Sequence, residues 1–280
     1  MTVQGSQKST LTVMTLNLWG SNKWEDRRLA VVDWINEIQP DLLALQEVVR
    51  TSRLCQASWI AERTEMTAAF GAARTRDDGE FGNAVLSRLP VHGSLRHRLT
   101  DASTGNEPRA VITVEADACG RRVSFSSTHL SWRFDEGWVR EQQVRDVADV
   151  VGAHSYDFPP IVCGDFNARP ESTEVRFIKG LHALDQRSFH LFDAFEVANP
   201  GQPGYTWSNA NPFAAAEQVP DQRIDYIFVG VHAEDGAGRV LTAHVVCNEP
   251  RGGGWPSDHF GVAAELSLAG GGDGRAAQAV

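Results

Sequence analysis

A set of polar residues suited to metal or phosphate chemistry falls where apolar runs of the chain give out. Asn17 follows Leu11-Thr12-Val13-Met14-Thr15-Leu16, Glu47 follows Leu42-Leu43-Ala44-Leu45-Gln46, and His129 ends a middle run. Asp165 and Asn167 follow Ile161-Val162-Cys163-Gly164, Asp225 stands just inside a late run, and Asp258-His259 immediately precede the last. Carboxylates and amides supply hard oxygen donors, and histidine carries a proton near neutral pH. In layered sheet proteins ligands bind beyond one set of strand ends, so side chains at these positions can converge on one pocket. Singly, each has an ordinary reading. An Asn or Asp after a strand is a turn residue or helix cap, a lone histidine is a hydrogen-bonded structural group, and Glu47 is the solvated start of a helix.

The elements that must position these residues alternate. Short β-rich runs cover 11–16, 42–45, 84–87, 110–115, 122–128 and 161–163, with late ones at 224–229, 240–247 and 260–266. Helical periodicity covers 25–39, where Val31, Ile35 and Ile38 share a face and Pro40 ends the run. It recurs at 53–63 and at 138–152, the latter with Val144, Val147 and Val151 on one face. This mixed order predicts helices packed on sheets in an α/β or α+β layered domain. Residues 1–268 read as one catalytic domain, and the Gly- and Ala-rich 269–280 as a disordered tail.

Composition bounds the partners. With 36 acidic against 26 basic residues the net charge is −10, which disfavours tight, indiscriminate binding to long duplex DNA. The basic clusters at Arg74 and Arg76, Arg96-His97-Arg98 and Arg121-Arg122 read as solvated turns and strand edges. No apolar run reaches the roughly 20 residues that span a bilayer. Residues 1–10 lack the apolar stretch of a secretory signal, so a cytoplasmic protein is expected. Cys55, Cys119, Cys163 and Cys247 are scattered and read as reduced.

The segments Thr15-Leu16-Asn17, Leu45-Gln46-Glu47, Gly164-Asp165-Phe166-Asn167, Arg223-Ile224-Asp225-Tyr226 and Ser257-Asp258-His259 occur in this order. One such segment means little; five in order, spread over nearly the whole chain, are specific. The set resembles the endonuclease/exonuclease/phosphatase superfamily, and 82–87 and Thr128-His129-Leu130 resemble further segments of it. The resemblance implies a four-layer sandwich. Two mixed β-sheets pack face to face, helices cover both outer faces, and the site lies at one end of the sheet pair. It also implies a divalent-metal-dependent hydrolase of phosphoester bonds.

Residue chemistry then assigns roles. Glu47 is an oxygen ligand suited to Mg²⁺, with Mn²⁺ as the alternative, while the absence of Cys/His spacing argues against zinc. Asn17 offers an amide oxygen to the metal or an amide N–H to the phosphate, and Asp258 binds the metal or its water. Asp165 and Asn167 stand at i, i+2 and share a side in extended chain. Asp165 is the expected base for the attacking water, and Asn167 the expected donor to a non-bridging oxygen. Asp225 orients His259 and favours its protonated form. The resemblance places His129 on the leaving-group side. Pancreatic-type nucleases pair that histidine with a glutamate, for which Glu80 and Glu107 are the candidates. Arg109 resembles a family arginine near the site, a strand-edge salt bridge being the alternative.

Substrate specificity in such sites lies in rim loops, here 22–26, 74–81, 131–137, 205–220 and 248–256. Trp132 and Arg133, just after His129, are the expected substrate contacts, whereas Trp207 reads as a buried loop anchor. Three functions fit. The first is a phosphodiesterase or phosphatase on a small or lipid-derived substrate. The second is a nuclease acting on DNA ends or damaged sites, and the third a catalytically silent phosphate-binding protein.

Overall fold

The first apolar run forms β1 (Thr10–Asn17), and its alternation sorts residues to two sides. Leu11 and Val13 join one apolar cluster, Met14 and Leu16 another. A strand buried on both faces must lie between two layers. The computed structural model, which describes residues 9–76, 78–102, 105, 107–153 and 156–268, shows those layers. The chain continues through α1 (Trp24–Ile38), β2 (Leu42–Arg50), α2 (Gln56–Thr64), β3 (Thr67–Arg76) and β4 (Gly79–Ser87). It then runs through β5 (Val91–Arg98), β6 (Ala110–Ala118), β7 (Arg121–His129), α3 (Gly137–Gly152), β8 (Ile161–Asp165) and α4 (Thr173–Ile178). The last elements are β9 (Phe192–Asp193), α5 (Ala194–Ala198), α6 (Pro212–Ala215), β10 (Asp225–Val229), β11 (Val240–Val246) and β12 (Gly261–Ser267).

Two six-stranded sheets result, ordered β11-β12-β1-β2-β4-β3 and β5-β6-β7-β8-β10-β9. Both are mixed: β1–β2 and β7–β8 pair in parallel, the rest antiparallel. Between the sheets lies one core, with Val13, Leu42, Ala44, Val114, Phe125, Ile161, Ile227 and Val262. Outside the first sheet, Val31, Ile35, Ala57 and Ile60 of α1 and α2 pack on Met14, Leu43 and Leu45. Outside the second, Val144, Val147 and Val175 of α3 and α4 pack on Val111, Val162 and Phe228. The four-layer sandwich is therefore present, and burial of three apolar interfaces is its main driving term.

Differences from the sequence expectation have local causes. The helix expected at 53–63 starts later, at Gln56, because Thr51 to Leu54 form a turn in which the Thr51 N–H donates to the Leu54 carbonyl at 2.7 Å. Strands β3 and β5 were not expected: β3 is alanine-rich and lacks alternation, and β5 is a sheet edge with nearly every residue exposed. The short α4, α5 and α6 carry too few residues for a helical period to register. Residues 269–280 lie outside the described residues.

Register sets the site. Asn17 pairs with Gln46 in one sheet, and His129 with Asp165 in the other, so both parallel pairs end at the same level. Asp225 opens β10 directly opposite Asp165. Just beneath, the interface between the sheets turns polar. Gln46 Nε2 donates to Ser127 Oγ at 3.0 Å, and Asn83 Nδ2 to the Ala110 carbonyl at 2.7 Å, each bond joining one sheet to the other.

Gly164 shows how tightly β7 and β8 meet there. Its φ is +149°, and a Cβ would stand 1.9 Å from the Thr128 carbonyl oxygen. Gly164→Ala is expected to destabilise the fold by about 3 kcal/mol or more, since both backbone strain and overlap must be relieved by moving a buried strand. Equilibrium denaturant unfolding of the two proteins measures it, and equal stability would contradict the expectation.

Candidate active site

Asp165 is the buried centre of the cluster, 1% exposed at the end of β8. Its Oδ2 accepts from Asn17 Nδ2 at 3.0 Å, and its Oδ1 from the Asn167 backbone N–H at 2.9 Å. Asn167 reaches it by adopting φ +48°, a left-handed turn that asparagine tolerates better than most residues. Two imidazoles face the same oxygen: His129 Nε2 at 3.5 Å and His259 Nε2 at 3.8 Å. Burial, then the charge of Asp225, push the Asp165 carboxyl well above the usual carboxylate range.

The two histidines have opposite electrostatics. His259 Nδ1 lies 3.0 Å from Asp225 Oδ2. Burial alone would discharge its ring, but the charge and hydrogen bond of Asp225, helped by Asp165 and Asp258, outweigh it and raise its pKa well above the ordinary value. Among the described residues no glutamate pairs with His129. Arg109 Nη1 lies 3.1 Å from its Nδ1, and a guanidinium only donates, so Nδ1 accepts and the ring proton sits on Nε2. Burial, then Arg109, hold this histidine's pKa well below the ordinary value. Of the two glutamates considered for it, Glu80 pairs with Arg50, and Glu107 approaches Arg109 (3.4 Å) and accepts from Trp132 Nε1 (2.8 Å).

Glu47 sits where the β2–β4 register shifts between Leu45 and Val48, at φ +57°. A bulge of this kind re-aims one side chain out of the strand alternation. Asp258, 7% exposed, has its carboxyl raised to about 6, chiefly by burial and then by Glu47. Glu47 and Asp258, both lining one polar cavity, form an oxygen-rich set that fits a hard divalent cation. Asn17 turns its nitrogen toward Glu47 Oε1 (3.4 Å) and Asp165, while its oxygen accepts from the Trp19 N–H at 2.9 Å. Asp165, Asp225 and His259 also bring one ligand atom each within 4.8 Å of one another. There the protonated imidazole already supplies a cation between the carboxylates.

A cavity of about 590 Å³ covers this end, lined by Glu47, Arg109, His129, Asp165, Asn167, Asp258 and His259 and walled by Trp19, Phe81, Trp132, Phe134 and Trp207. Trp132 and Phe134 are 48% and 73% exposed. Of the expected residues, Asn17 and Asp225 lie behind this lining, buried, where Asn17 donates to Asp165 and Asp225 lies against His259. Arg133 corrects the sequence reading. It is not in the lining; its guanidinium lies 5.4 Å from the Trp132 ring and 4.0 Å from Glu136. Trp207 corrects it too, standing edge-on to His259 at 5.0 Å with its indole nitrogen buried and unpartnered. Phe81 falls in the expected rim segment 74–81, whereas Glu107 and Trp19 were missed as wall residues; of these two only Glu107, beside Arg109, carried a sequence signal.

The sequence profile of the Endonuclease/Exonuclease/phosphatase family matches residues 14–259. Nocturnin of Xenopus laevis is 26% identical over 269 residues, an alignment covering 88% of this chain and 65% of that protein. The chain thus spans about two thirds or less of the length of the Nocturnin relatives. Among solved structures, D. rerio TDP2 complexed with single strand DNA product superposes with a TM-score of 0.74 at 22% identity, covering 93% of this chain and all of that one. The human Nocturnin catalytic domain with bound sulfate anion gives 0.68 at 23% identity, covering 93% and 95%.

Imidazole ¹⁵N spectra at pH 7 are expected to show His259 doubly protonated and His129 neutral with its proton on Nε2. Asp225→Asn should return His259 toward ordinary titration, because it removes the carboxylate that offsets burial. Two histidines titrating together near pH 6.5 would contradict the geometry.

Proposed function

The chain belongs to the endonuclease/exonuclease/phosphatase family, and from that membership we propose that it is a divalent-metal-dependent hydrolase of a phosphoester bond. The observation that carries this reading is the convergence of Asp165, Asn167, His129, His259, Glu47 and Asp258 on one cavity. We assign the activity to a single domain, residues 1–268.

Glu47 and Asp258 are the residues that would hold the ion, Mg²⁺ or Mn²⁺, with Asn17 beside them. Bound there, the ion would supply Lewis-acid polarisation of the phosphoryl group and offset its charge. Asp165, with its raised proton affinity, orients the attacking water and takes its proton. Asn17 and the Asn167 N–H hold that carboxylate in place. The Asn167 side-chain amide gives one hydrogen to the Leu130 carbonyl at 3.2 Å and has a second for a non-bridging oxygen. His259, kept charged by Asp225, places a cation against the phosphoryl oxygens, a preorganised donor that costs no rearrangement during the reaction. His129, proton on Nε2 and fixed by Arg109, serves as a neutral donor on the leaving-group side and not as an imidazolium acid.

For the substrate we favour a small or lipid-derived phosphodiester or phosphomonoester. The cavity volume of about 590 Å³ and the excess of 36 acidic over 26 basic residues support it. The exposed rings of Trp132 and Phe134 favour a second reading, stacking on bases of a nucleic-acid end. The DNA product held by D. rerio TDP2 accords with that reading. The cytoplasm is the proposed compartment, in accord with four free cysteines; no described helix is long and apolar enough to cross a membrane.

A panel of phosphodiesters, phosphomonoesters and oligonucleotides, assayed with Mg²⁺, Mn²⁺ or chelator, tests the proposal. Turnover is expected only with metal, and cleavage confined to oligonucleotides would select the second reading. Asp165→Ala and His259→Ala should each lower the rate by about 10² or more. No turnover by folded, metal-loaded protein would leave a silent binding protein.

A further inference from the structure

Arg27, in the first turns of α1, is 1% exposed and among the largest fully buried side chains, yet its guanidinium bonds go to no carboxylate. Nε donates to the Asn22 carbonyl at 2.7 Å, and Nη1 to the Pro256 carbonyl at 2.5 Å. Nη2 donates to the Leu18 carbonyl at 2.8 Å and approaches that of Gly20 at 3.4 Å. All four partners are neutral main-chain oxygens. Burial of a cation on such terms is costly, so the arrangement calls for a reason. The carboxylates whose charge acts on it are Asp258 and Glu47, the two that would hold the ion.

The carbonyls it gathers belong to the segments carrying those ligands. Leu18 follows Asn17, and Pro256 lies two residues ahead of Asp258. Gly20 lies against the Glu47 carboxylate, whose Oε2 would stand 3.7 Å from a Cβ placed there. Two further ties close the frame. The Ser257 hydroxyl donates to the Asn17 carbonyl at 2.6 Å. The buried Gln56 side chain donates to the Gly20 carbonyl at 2.8 Å and accepts from the Val49 N–H at 2.7 Å, just beyond Glu47. Resting on the metal-dependent reading above, we propose that Arg27 is a positioning residue that, with the Ser257 hydroxyl, clamps the turn after β1 to the segment before β12 and thereby fixes the spacing of Glu47 and Asp258 for the metal ion. The fork shape of arginine is essential, since Nε, Nη1 and Nη2 each meet a different carbonyl, and the three donors of an ammonium sit on one nitrogen that cannot span them.

Binding of Mn²⁺ alone, by titration calorimetry at pH 7, tests this without turnover. Arg27→Lys keeps the charge and loses the fork, and is expected to weaken Mn²⁺ about tenfold. Arg140→Lys is the control for general destabilisation. Arg140 is also a buried fork, bonded to Glu174 and to the Ser131 and Arg133 carbonyls on the His129 side, and its variant should bind Mn²⁺ within twofold of the parent. Unchanged affinity in Arg27→Lys, or equal weakening in both variants, overturns the proposal. Ser257→Ala is no substitute, since that hydroxyl also lies 3.1 Å from Asp258 Oδ1. If Arg27→Lys does not fold, Gln56→Ala, which releases the Gly20 carbonyl and touches neither ligand, decides: about threefold weakening supports the frame, and none removes it. No Mn²⁺ binding by the parent protein would instead defeat the metal-dependent reading itself.

Discussion

A carboxylate buried at the meeting point of two sheets is the constraint that organises this molecule. Asp165 is almost fully enclosed, and water can no longer solvate its charge. Four neighbours offset that deficit: two asparagines donate to it, one imidazole faces it as a neutral donor and the other as a cation. Such a group gains proton affinity because its ionised form is poorly solvated, while directed donors keep it from simply becoming an acid. Removing any one partner leaves the others with an uncompensated dipole or charge. The register that ends β1, β7 and β8 beside the bulge of β2 is what allows contributions from chain positions 17 and 165 to meet.

That register explains which parts were legible in the sequence. Strands β1, β2 and β8 announce themselves as apolar runs with a polar residue at the end, and those residues are the site. Period-2 sorting into inner and outer clusters follows from the same runs. What could not be read is local geometry imposed by tertiary structure. Glu47 enters the cavity through a bulge and a left-handed φ that nothing in Leu45-Gln46-Glu47 dictates. His129 takes Arg109 as its partner because β6 and β7 are neighbours, whereas sequence reasoning looked for a glutamate. Arg133, expected at the substrate, lies outside the wall, and Trp207, read as a buried anchor, stands in it, since loops carry no periodicity from which direction could be read. Arg27 drew no notice, because a buried arginine bonded to carbonyls looks in sequence like one more charge on a helix.

The distribution of contacts also separates what is held from what is adjustable. The reacting end is fixed by strands, the carbonyl-gathering Arg27, and Gln56. The wall is different: Trp132 hangs on one bond to Glu107, and Phe134 is mostly in solvent. Family membership accords with the first part. The second is where proteins built on one scaffold diverge. A family likeness near one quarter identity therefore speaks to the reaction's machinery more than to the molecule that enters.

The polar seam formed by Gln46 with Ser127 and by Asn83 with the Ala110 carbonyl bears on how such divergence can proceed. Apolar sheets pressed together can slide or repack at modest cost, whereas paired amides in a dry interface cannot without orphaning a donor and an acceptor. The seam therefore works as a fixed gauge at the catalytic end. It sets the opening between the sheets to one value, whatever happens to the loops above. Evolution or design on this scaffold is free to rewrite the entrance, but a bulkier reacting group would have to be met by redrawing the seam itself.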